Sequence, residues 1–164
     1  YRANINNFYL YHEPETYIFH WIPFDYDNTF GVDWVSTDWS TIDPFVYTVI
    51  TDRERPLIDH LFSKERYQNL FAHFLSFYNS KIFSDSLGNE SISYFESRLE
   101  SFRENNYNSA LSDTYRTLDY GFSIEDYQNS FGFSFENQHV KQGLMEFINQ
   151  RNLSLNEQLY FNGS

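Results

Sequence analysis

Two short runs of aromatic and β-branched residues open the chain, at positions 8–11 and 17–22. The segment 12–15 between them is polar and contains Pro14, and Pro23 follows the second run. Such runs on either side of turn residues are typical of a β-hairpin. Residues 44–50 are also apolar, but this stretch is too short for its periodicity to distinguish a strand from a buried helix.

Apolar residues recur every three or four positions from Pro56 onward, which predicts helices. Pro56 suits the first helical position, and Ser63 is a candidate N-cap for a longer helix that reaches Ile82. A second apolar stripe over residues 92–102 predicts a helix that ends near Asn105.

The last third of the chain carries further helical patterns. An apolar stripe over residues 140–148 predicts a helix that ends before Asn152. Residues 109–118 and 124–131 are predicted to form shorter helices. Ser154 followed by Glu157 is a capping-box pair, which predicts a last short helix after it.

These elements predict an α+β fold, mainly α, in which a short N-terminal β-hairpin and an acidic loop pack on a helical lobe. The 164 residues have the length of one domain, and residues 1–164 contain no repeat or low-complexity segment that would divide them. The predicted core consists of apolar positions at helical spacing, which are Phe71, Phe74, Phe95, Leu99, Leu144 and Phe147.

Charge and composition exclude several classes of function. The chain has 23 acidic and 11 basic residues and a formal net charge of -12, so nucleic acid and acidic membrane surfaces would be repelled. It contains no cysteine, which excludes disulfides, thiolate metal sites and cysteine nucleophiles. No apolar stretch has the length of a transmembrane segment, and the polar residues 1–7 do not resemble a signal peptide.

A carboxylate-rich loop is the best candidate for chemistry. Asp25, Asp27 and Asn28 directly follow the second apolar run, and Gly31 allows a tight turn after them. Such hard oxygen donors suit Mg²⁺, Mn²⁺ or Ca²⁺. The alternative is an Asx-type turn, in which the aspartates accept hydrogen bonds from nearby backbone amides. The loop does not fit an EF-hand, because Phe30 stands where that motif requires glycine.

Aromatic residues precede this loop. If the chain stays extended up to Asp25, the odd-numbered residues from Tyr17 to Pro23 project from the same face as Asp25. Phe19 and Trp21 are then candidates for stacking against a flat ligand such as a purine beside the metal. The alternative is that they pack in the core, as most aromatic residues do.

Other constellations are weak. The five histidines show no paired metal-ligand spacing, and no nucleophile elbow, Walker loop or dinucleotide fingerprint occurs. The triplet Arg53-Glu54-Arg55 could offer cations to a phosphate, although charged residues just before a helix are usually solvated.

Three stretches in a fixed order resemble the spore coat protein H (CotH) kinase family. Residues 6–11 (NNFYLY) are followed by residues 21–31 (WIPFDYDNTFG) and residues 55–58 (RPLI), and Tyr67 lies eleven residues after Pro56. The order and the spacing of these stretches make the resemblance specific.

The end of the chain extends the resemblance. Residues 147–151 (FINQR), with Leu155 and Leu159 after them, are similar to the closing helix of that family. The resemblance therefore covers nearly the whole chain and is weakest over residues 105–138.

The resemblance implies an atypical protein-kinase-like fold that transfers phosphate from ATP to Ser or Thr of a protein substrate. Asp25 matches the metal-binding aspartate, and Asp27 matches the loop pattern, either as a ligand or as a turn-forming residue. On the same register Asn4 matches the metal-binding asparagine, and the catalytic aspartate is expected upstream of Tyr1. The implied cofactors are ATP with Mg²⁺ or Mn²⁺, with Ca²⁺ as the alternative metal.

On this interpretation the chain is the C-terminal part of such a domain without its N-terminal lobe, and we expect it to be inactive alone. Apolar surface exposed by the missing lobe could drive self-association. The family also implies an extracellular or cell-surface location. The competing interpretation is a non-catalytic surface adhesion or assembly module that keeps the fold and could bind Ca²⁺.

Overall fold

The computed structural model describes residues 7–32, 34, 37–45, 55–82, 92–118 and 120–162. Its strands are β1 (Phe8–His12) and β2 (Phe19–Pro23), and its helices are α1 (Pro56–Phe62), α2 (Glu65–Ile82), α3 (Ile92–Ser112), α4 (Ile124–Asn129) and α5 (Leu144–Asn162). This architecture is mainly helical with one two-stranded sheet, in agreement with the predicted α+β class. Residues 46–50, where the sequence pattern allowed either a strand or a helix, lie outside the described residues.

The β-hairpin is confirmed at its predicted position. Strands β1 and β2 pair antiparallel, with Phe8 opposite Pro23 at one end and His12 opposite Phe19 at the other. Nearly every side chain of the two strands is exposed. Within the described residues, neither face of this sheet is covered as a core sheet would be.

Helix α1 begins at Pro56 as predicted, because the proline ring fixes φ and its missing amide costs no hydrogen bond at that position. The prediction for Ser63 is wrong. Ser63 ends α1, and its hydroxyl donates to the carbonyl oxygen of His60 at 2.8 Å. A serine hydroxyl near a helix boundary can donate to a backbone carbonyl oxygen as well as accept from a backbone amide. Helix α2 begins at Glu65 and reaches Ile82, as expected.

Helix α3 is longer than the sequence pattern predicts. The expected end near Asn105 and the separate helix over residues 109–118 are both wrong, because α3 continues to Ser112. The side-chain amide of Asn106 donates to the carbonyl oxygen of Phe102 at 2.8 Å. This amide therefore bonds within the helix instead of terminating it.

Helix α4 lies inside the predicted range of 124–131 and carries a capping box that the pattern did not reveal. The backbone amide of Asp126 donates to the Ser123 hydroxyl at 3.0 Å, and the amide of Ser123 donates to the Asp126 carboxylate at 2.7 Å. The hydrogen bond from the Ser123 amide, with a second one from its hydroxyl, holds the pKa of Asp126 below its ordinary value.

Helix α5 runs without interruption from Leu144 to Asn162. The predicted end before Asn152 and the separate short helix after Ser154 are therefore wrong. Ser154 caps nothing, because its hydroxyl donates to the carbonyl oxygen of Thr41 at 3.3 Å. Ser154 matches the capping pattern by chance, and its side chain instead makes a tertiary hydrogen bond.

A small hydrophobic core lies where α3, α5 and the segment after α4 meet. Gly143, just before α5, lies so close to Gly132 that a Cβ atom would come within 2.2 Å of the Gly132 carbonyl oxygen. Only glycine permits this approach, which seats the beginning of α5 on the 130–132 segment. The buried members of the core are Leu99, Met145 and Ile148, and the half-buried members are Phe95, Phe131, Leu144 and Phe147.

The predicted core is correct on α3 and α5 and wrong in part on α2. Phe74 is 47% exposed. Helix α2 instead turns the buried amide of Asn79 toward α5, where it donates to Asn152 Oδ1 at 2.7 Å and to Asn156 Oδ1 at 3.0 Å. The apolar stripe could not show that a polar residue forms this helix contact.

The segment 37–45 packs against α5 through hydrogen bonds. The hydroxyl of Ser40, which is fully buried, donates to Gln150 Oε1 at 2.9 Å. The Arg151 guanidinium donates to the carbonyl oxygen of Ile42 at 2.6 Å and to that of Ser40 at 3.5 Å. Polar contacts with α5 therefore fix the first part of this irregular segment, while Phe45 at its end packs on Phe62 of α1 and Phe71 of α2.

No helix in the described ranges combines the length and the apolar character needed to cross a lipid bilayer.

The burial pattern predicts unequal effects of two core truncations. Leu99→Ala should lower the free energy of unfolding by about 2–5 kcal/mol, because it leaves a cavity in the core. Phe74→Ala should cost below about 1.5 kcal/mol, since half of that side chain already contacts solvent. Urea denaturation followed by circular dichroism measures both, and a larger loss for Phe74→Ala would contradict this core assignment.

Candidate functional site

The acidic loop begins where strand β2 ends. The strand stops at Pro23, and Asp25 has a φ of 63°, in the left-handed region that aspartate tolerates better than most residues. The expectation that the chain stays extended up to Asp25 is therefore wrong. The alternation of side chains along β2 therefore cannot be extended to Asp25, and it does not assign Asp25 to the strand face of Phe19 and Trp21.

Asn7 lies beside Asp25, and this residue is missing from the set predicted from the sequence. The backbone amide of Phe24 donates to the carbonyl oxygen of Asn7 at 3.2 Å, one step beyond the end of the strand ladder. The Asn7 side-chain amide then donates to Asp25 Oδ2 at 3.1 Å. The hairpin register could have indicated this contact, since it places Asn7 opposite Phe24, the residue directly before Asp25.

Asp25 and Asp27 form a pair of adjacent carboxyl groups. A hydrogen bond between the two side chains and the charge repulsion from Asp27 raise the pKa of Asp25 above its ordinary value of 3.8. Slight desolvation adds to this rise, and the hydrogen bond from Asn7 opposes it. Two negative groups held this close favour a proton or a cation between them.

Other groups form the turn itself. The Thr29 hydroxyl donates to the carbonyl oxygen of Tyr26 at 2.9 Å, and the backbone amide of Val32 donates to the carbonyl oxygen of Thr29 at 3.1 Å. Within the described residues, Asp25 and Asp27 accept no hydrogen bond from a backbone amide. The Asx-turn alternative is thus not how these carboxylates are used here.

The far end of the loop rests on helix α5. The rings of Phe30 and Phe147 meet edge to face, with centroids 6.1 Å apart. Gly31 has a φ of 83°, and a Cβ atom there would come within 2.9 Å of the Phe147 ring. Glycine is required for both reasons. The loop is therefore held between the hairpin at one end and α5 at the other.

The predicted ligand-stacking residues lie on the exposed hairpin. Trp21 is stacked on Phe8, with ring centroids 3.9 Å apart, and Phe19 is stacked on His12 at 4.6 Å. At about 3.3 Å per residue, Phe19 lies about 13 Å along the strand from Pro23, and Trp21 about 7 Å. Trp21 is thus the nearer of the two to the acidic loop.

Oxygen donors suited to a divalent cation are present, although the described residues contain no cluster of three His, Asp or Glu side chains that could hold one. Asp25 and Asp27 supply two carboxylates, and Asn4 lies outside the described residues. Mg²⁺ is usually held by one or two carboxylates together with waters and substrate phosphates. The two carboxylates therefore suit a metal ion whose remaining ligands are waters and the oxygens of a phosphate group.

Of the Arg53-Glu54-Arg55 triplet, the structure describes only Arg55. Arg55 is only 2% exposed, so its side chain is buried. Arg53 and Glu54 lie outside the described residues.

The fold and the site define a mainly helical α+β protein. Its acidic loop follows the β-hairpin and packs against the last helix. The model of one protein family, described as CotH kinase protein, matches residues 3–155. The chain belongs to this family. Comparisons with curated proteins and with solved structures give no match.

The carboxyl pair predicts a pH effect. The folded protein keeps the Asp25 proton to a higher pH than the unfolded chain does, so stability from this group decreases as pH rises from the ordinary pKa to the raised one. Asp27→Asn should lower the pKa of Asp25, because it removes the repelling charge. A carboxyl-detected NMR titration measures this shift, and an unchanged Asp25 titration in Asp27→Asn would refute the pairing.

Proposed function

We propose that the chain is the C-terminal, metal-binding part of a CotH-type protein kinase, which transfers phosphate from ATP to Ser or Thr of a protein substrate. The family match supports this proposal, and the carboxyl pair that the turn leaves unused is the observation that carries it. In this proposal residues 1–164 form one unit of a larger catalytic domain.

Asp25 and Asp27 are the proposed ligands of Mg²⁺ or Mn²⁺. Asn7 orients the Asp25 carboxylate through its 3.1 Å hydrogen bond, and Asp25 itself has a left-handed backbone conformation. Asn4 is proposed as a further ligand on the strength of the family pattern. When bound, the metal would neutralise charge on the ATP phosphates during transfer.

Trp21 and Phe19 are proposed to give the nucleotide an apolar surface on the hairpin. Trp21 is 38% exposed, and one of its faces is stacked on Phe8. We propose that the exposed part of the indole contacts the base. Phe19 is 62% exposed and would contact only a ligand that extends along the strand. Trp21 is therefore the more important of the two in this proposal.

The remaining catalytic groups are proposed to lie outside these residues. The aspartate that orients the substrate hydroxyl is placed upstream of Tyr1, and the lysine-type phosphate contacts belong to an N-terminal lobe. The chain alone should then be inactive. An extracellular or cell-surface location is proposed by analogy with the family.

A second candidate is a non-catalytic surface adhesion or assembly module that could bind Ca²⁺. The exposed aromatic residues of the hairpin favour it, because exposed apolar surface of this extent commonly marks a contact with another molecule. Tyr9, Tyr11 and Ile22 are each about half exposed or more. The two candidates differ in whether Asp25 supports phosphate transfer.

Metal binding tests the site without any catalytic activity. Mn²⁺ should broaden the backbone NMR signals of residues 25–31 selectively and with weak affinity, because no ATP phosphate completes the coordination shell. Asp25→Asn should abolish this broadening. Asp113→Asn is the matched control, since Asp113 accepts a hydrogen bond from the Tyr115 amide in an ordinary turn. Submicromolar binding that survives Asp25→Asn would disprove the assignment.

Phosphate transfer tests the function in the longer parent chain. Asp25→Asn keeps the side-chain shape but removes a negative ligand, so transfer of ³²P from ATP to a Ser-containing protein should fall by two orders of magnitude or more (~10²-fold). Stability should change little, which urea denaturation checks. Activity of Asp25→Asn within a few-fold of the parent would favour the assembly module.

A further inference from the structure

A groove lies between helices α3 and α4, away from the acidic loop. Its volume is about 390 Å³. The floor is formed by the core residues Leu99 and Met145, which are buried, and by half-buried Phe131. Phe133 lines the groove and is 51% exposed. A ligand in this groove would therefore contact the edge of the hydrophobic core directly.

One wall of the groove is acidic. Glu96 and Glu100 line it, and Glu104 lines the adjoining depression, which shares Glu100 and Arg103 with it. The spacing of four residues places the three carboxylates along one side of α3. Arg103 pairs with Glu100, whereas Glu96 and Glu104 form no ion pair within the described residues. Three carboxylates against one guanidinium leave this wall negative.

The opposite wall is neutral and polar. It is formed by Gln128 and Asn129, at the end of α4. Their amide groups can donate to and accept from a peptide backbone. The groove thus combines an apolar floor with one acidic wall and one amide wall.

The groove is separate from the acidic-loop site. Met145 lines the groove, while Phe147 contacts Phe30 and Gly31 of that loop. Side chains two positions apart on an α-helix, such as Met145 and Phe147, point in directions that differ by about 200°. The groove and the loop therefore contact opposite sides of the first turn of α5. A ligand could occupy the groove without covering Asp25.

We propose that this groove docks a short basic segment of a partner protein, with an apolar side chain on the floor and lysine or arginine side chains against the acidic wall. Charge complementarity selects this occupant, because the wall is negative and, among the described residues, Glu96 and Glu104 form no ion pair. A second copy of the chain is disfavoured, since each copy carries a net charge of -12 and would repel the other.

The dimensions define the sequence of such a segment. Glu96 and Glu104 are eight positions apart on α3, which corresponds to about 12 Å along the helix. An extended peptide covers about 13 Å in four residues, and its residues i, i+2 and i+4 point to the same side. The pattern Lys-x-Leu-x-Lys therefore directs two charges at the carboxylates and the leucine at the floor between them.

The test is a fluorescence-anisotropy titration of the whole chain with a labelled peptide of about ten residues that contains this pattern. One comparison peptide replaces the lysines with glutamate, and a second replaces the leucine with serine. We expect binding of the first peptide, with an affinity that decreases as salt is added, and clearly weaker binding of both comparison peptides.

Two double variants separate the groove from the overall charge. Glu96→Gln with Glu104→Gln should weaken binding roughly 3- to 10-fold, as expected for two partly exposed ion pairs. Glu65→Gln with Glu157→Gln removes the same charge from exposed positions on α2 and α5 and should leave binding nearly unchanged. Phe133→Ser should also weaken binding, because it removes exposed apolar surface at the groove.

Three outcomes would overturn the proposal. Equal losses in the two double variants would mean that only the overall charge attracts the peptide. Equal binding of the serine peptide would mean that the apolar floor is not used. Self-association in sedimentation experiments that Phe133→Ser abolishes would assign the groove to a second copy of the chain. None of these outcomes depends on whether the acidic loop binds metal or supports phosphate transfer.

Discussion

The position of the half-buried segment 37–45 depends on hydrogen-bond donors that helix α5 supplies to its carbonyl groups. Arg151 donates to the carbonyl oxygens of Ser40 and Ile42. The side chains of Ser154 and Gln158 both donate to the carbonyl oxygen of Thr41, and the bond from Gln158 measures 2.8 Å. A buried carbonyl without a partner costs about 1–3 kcal/mol. This cost applies to Ser40, which is fully buried, so the Arg151 hydrogen bonds fix this part of the segment. At the other end, Phe45 packs on Phe62 and Phe71.

The same helix also fixes the acidic loop and helix α2. Phe147 supports the loop at Gly31, and Asn152 accepts the amide of Asn79 from α2. Met145 meanwhile belongs to the core and to the groove beside α3. Helix α5 therefore carries separate contacts on several sides, and a change in its position would move the loop, the groove and α2 together.

Local patterns in the sequence predict the elements whose cause is local. The alternation of apolar runs and turn residues predicts the hairpin, and Pro56 marks the beginning of α1. Predictions from local patterns fail where a polar side chain forms a hydrogen bond with a residue distant in sequence. Ser154 has the spacing of a helix cap but bonds to Thr41, and no local pattern distinguishes these two uses of a hydroxyl group. Asn7 was missed for a related reason, because its partner is 18 residues away and only the strand register brings the two together.

The amide contact between α2 and α5 has a consequence for producing the protein. Asn152, Leu153 and Ser154 form an Asn-x-Ser acceptor sequence for N-linked sugars. In the folded chain, however, Asn152 faces the buried Asn79, and the Ser154 hydroxyl is bonded to Thr41. A sugar attached to the Asn152 side chain would stand at the contact between α2 and α5 and disturb the hydrogen bond from Asn79. Production in a host that does not glycosylate avoids this interference.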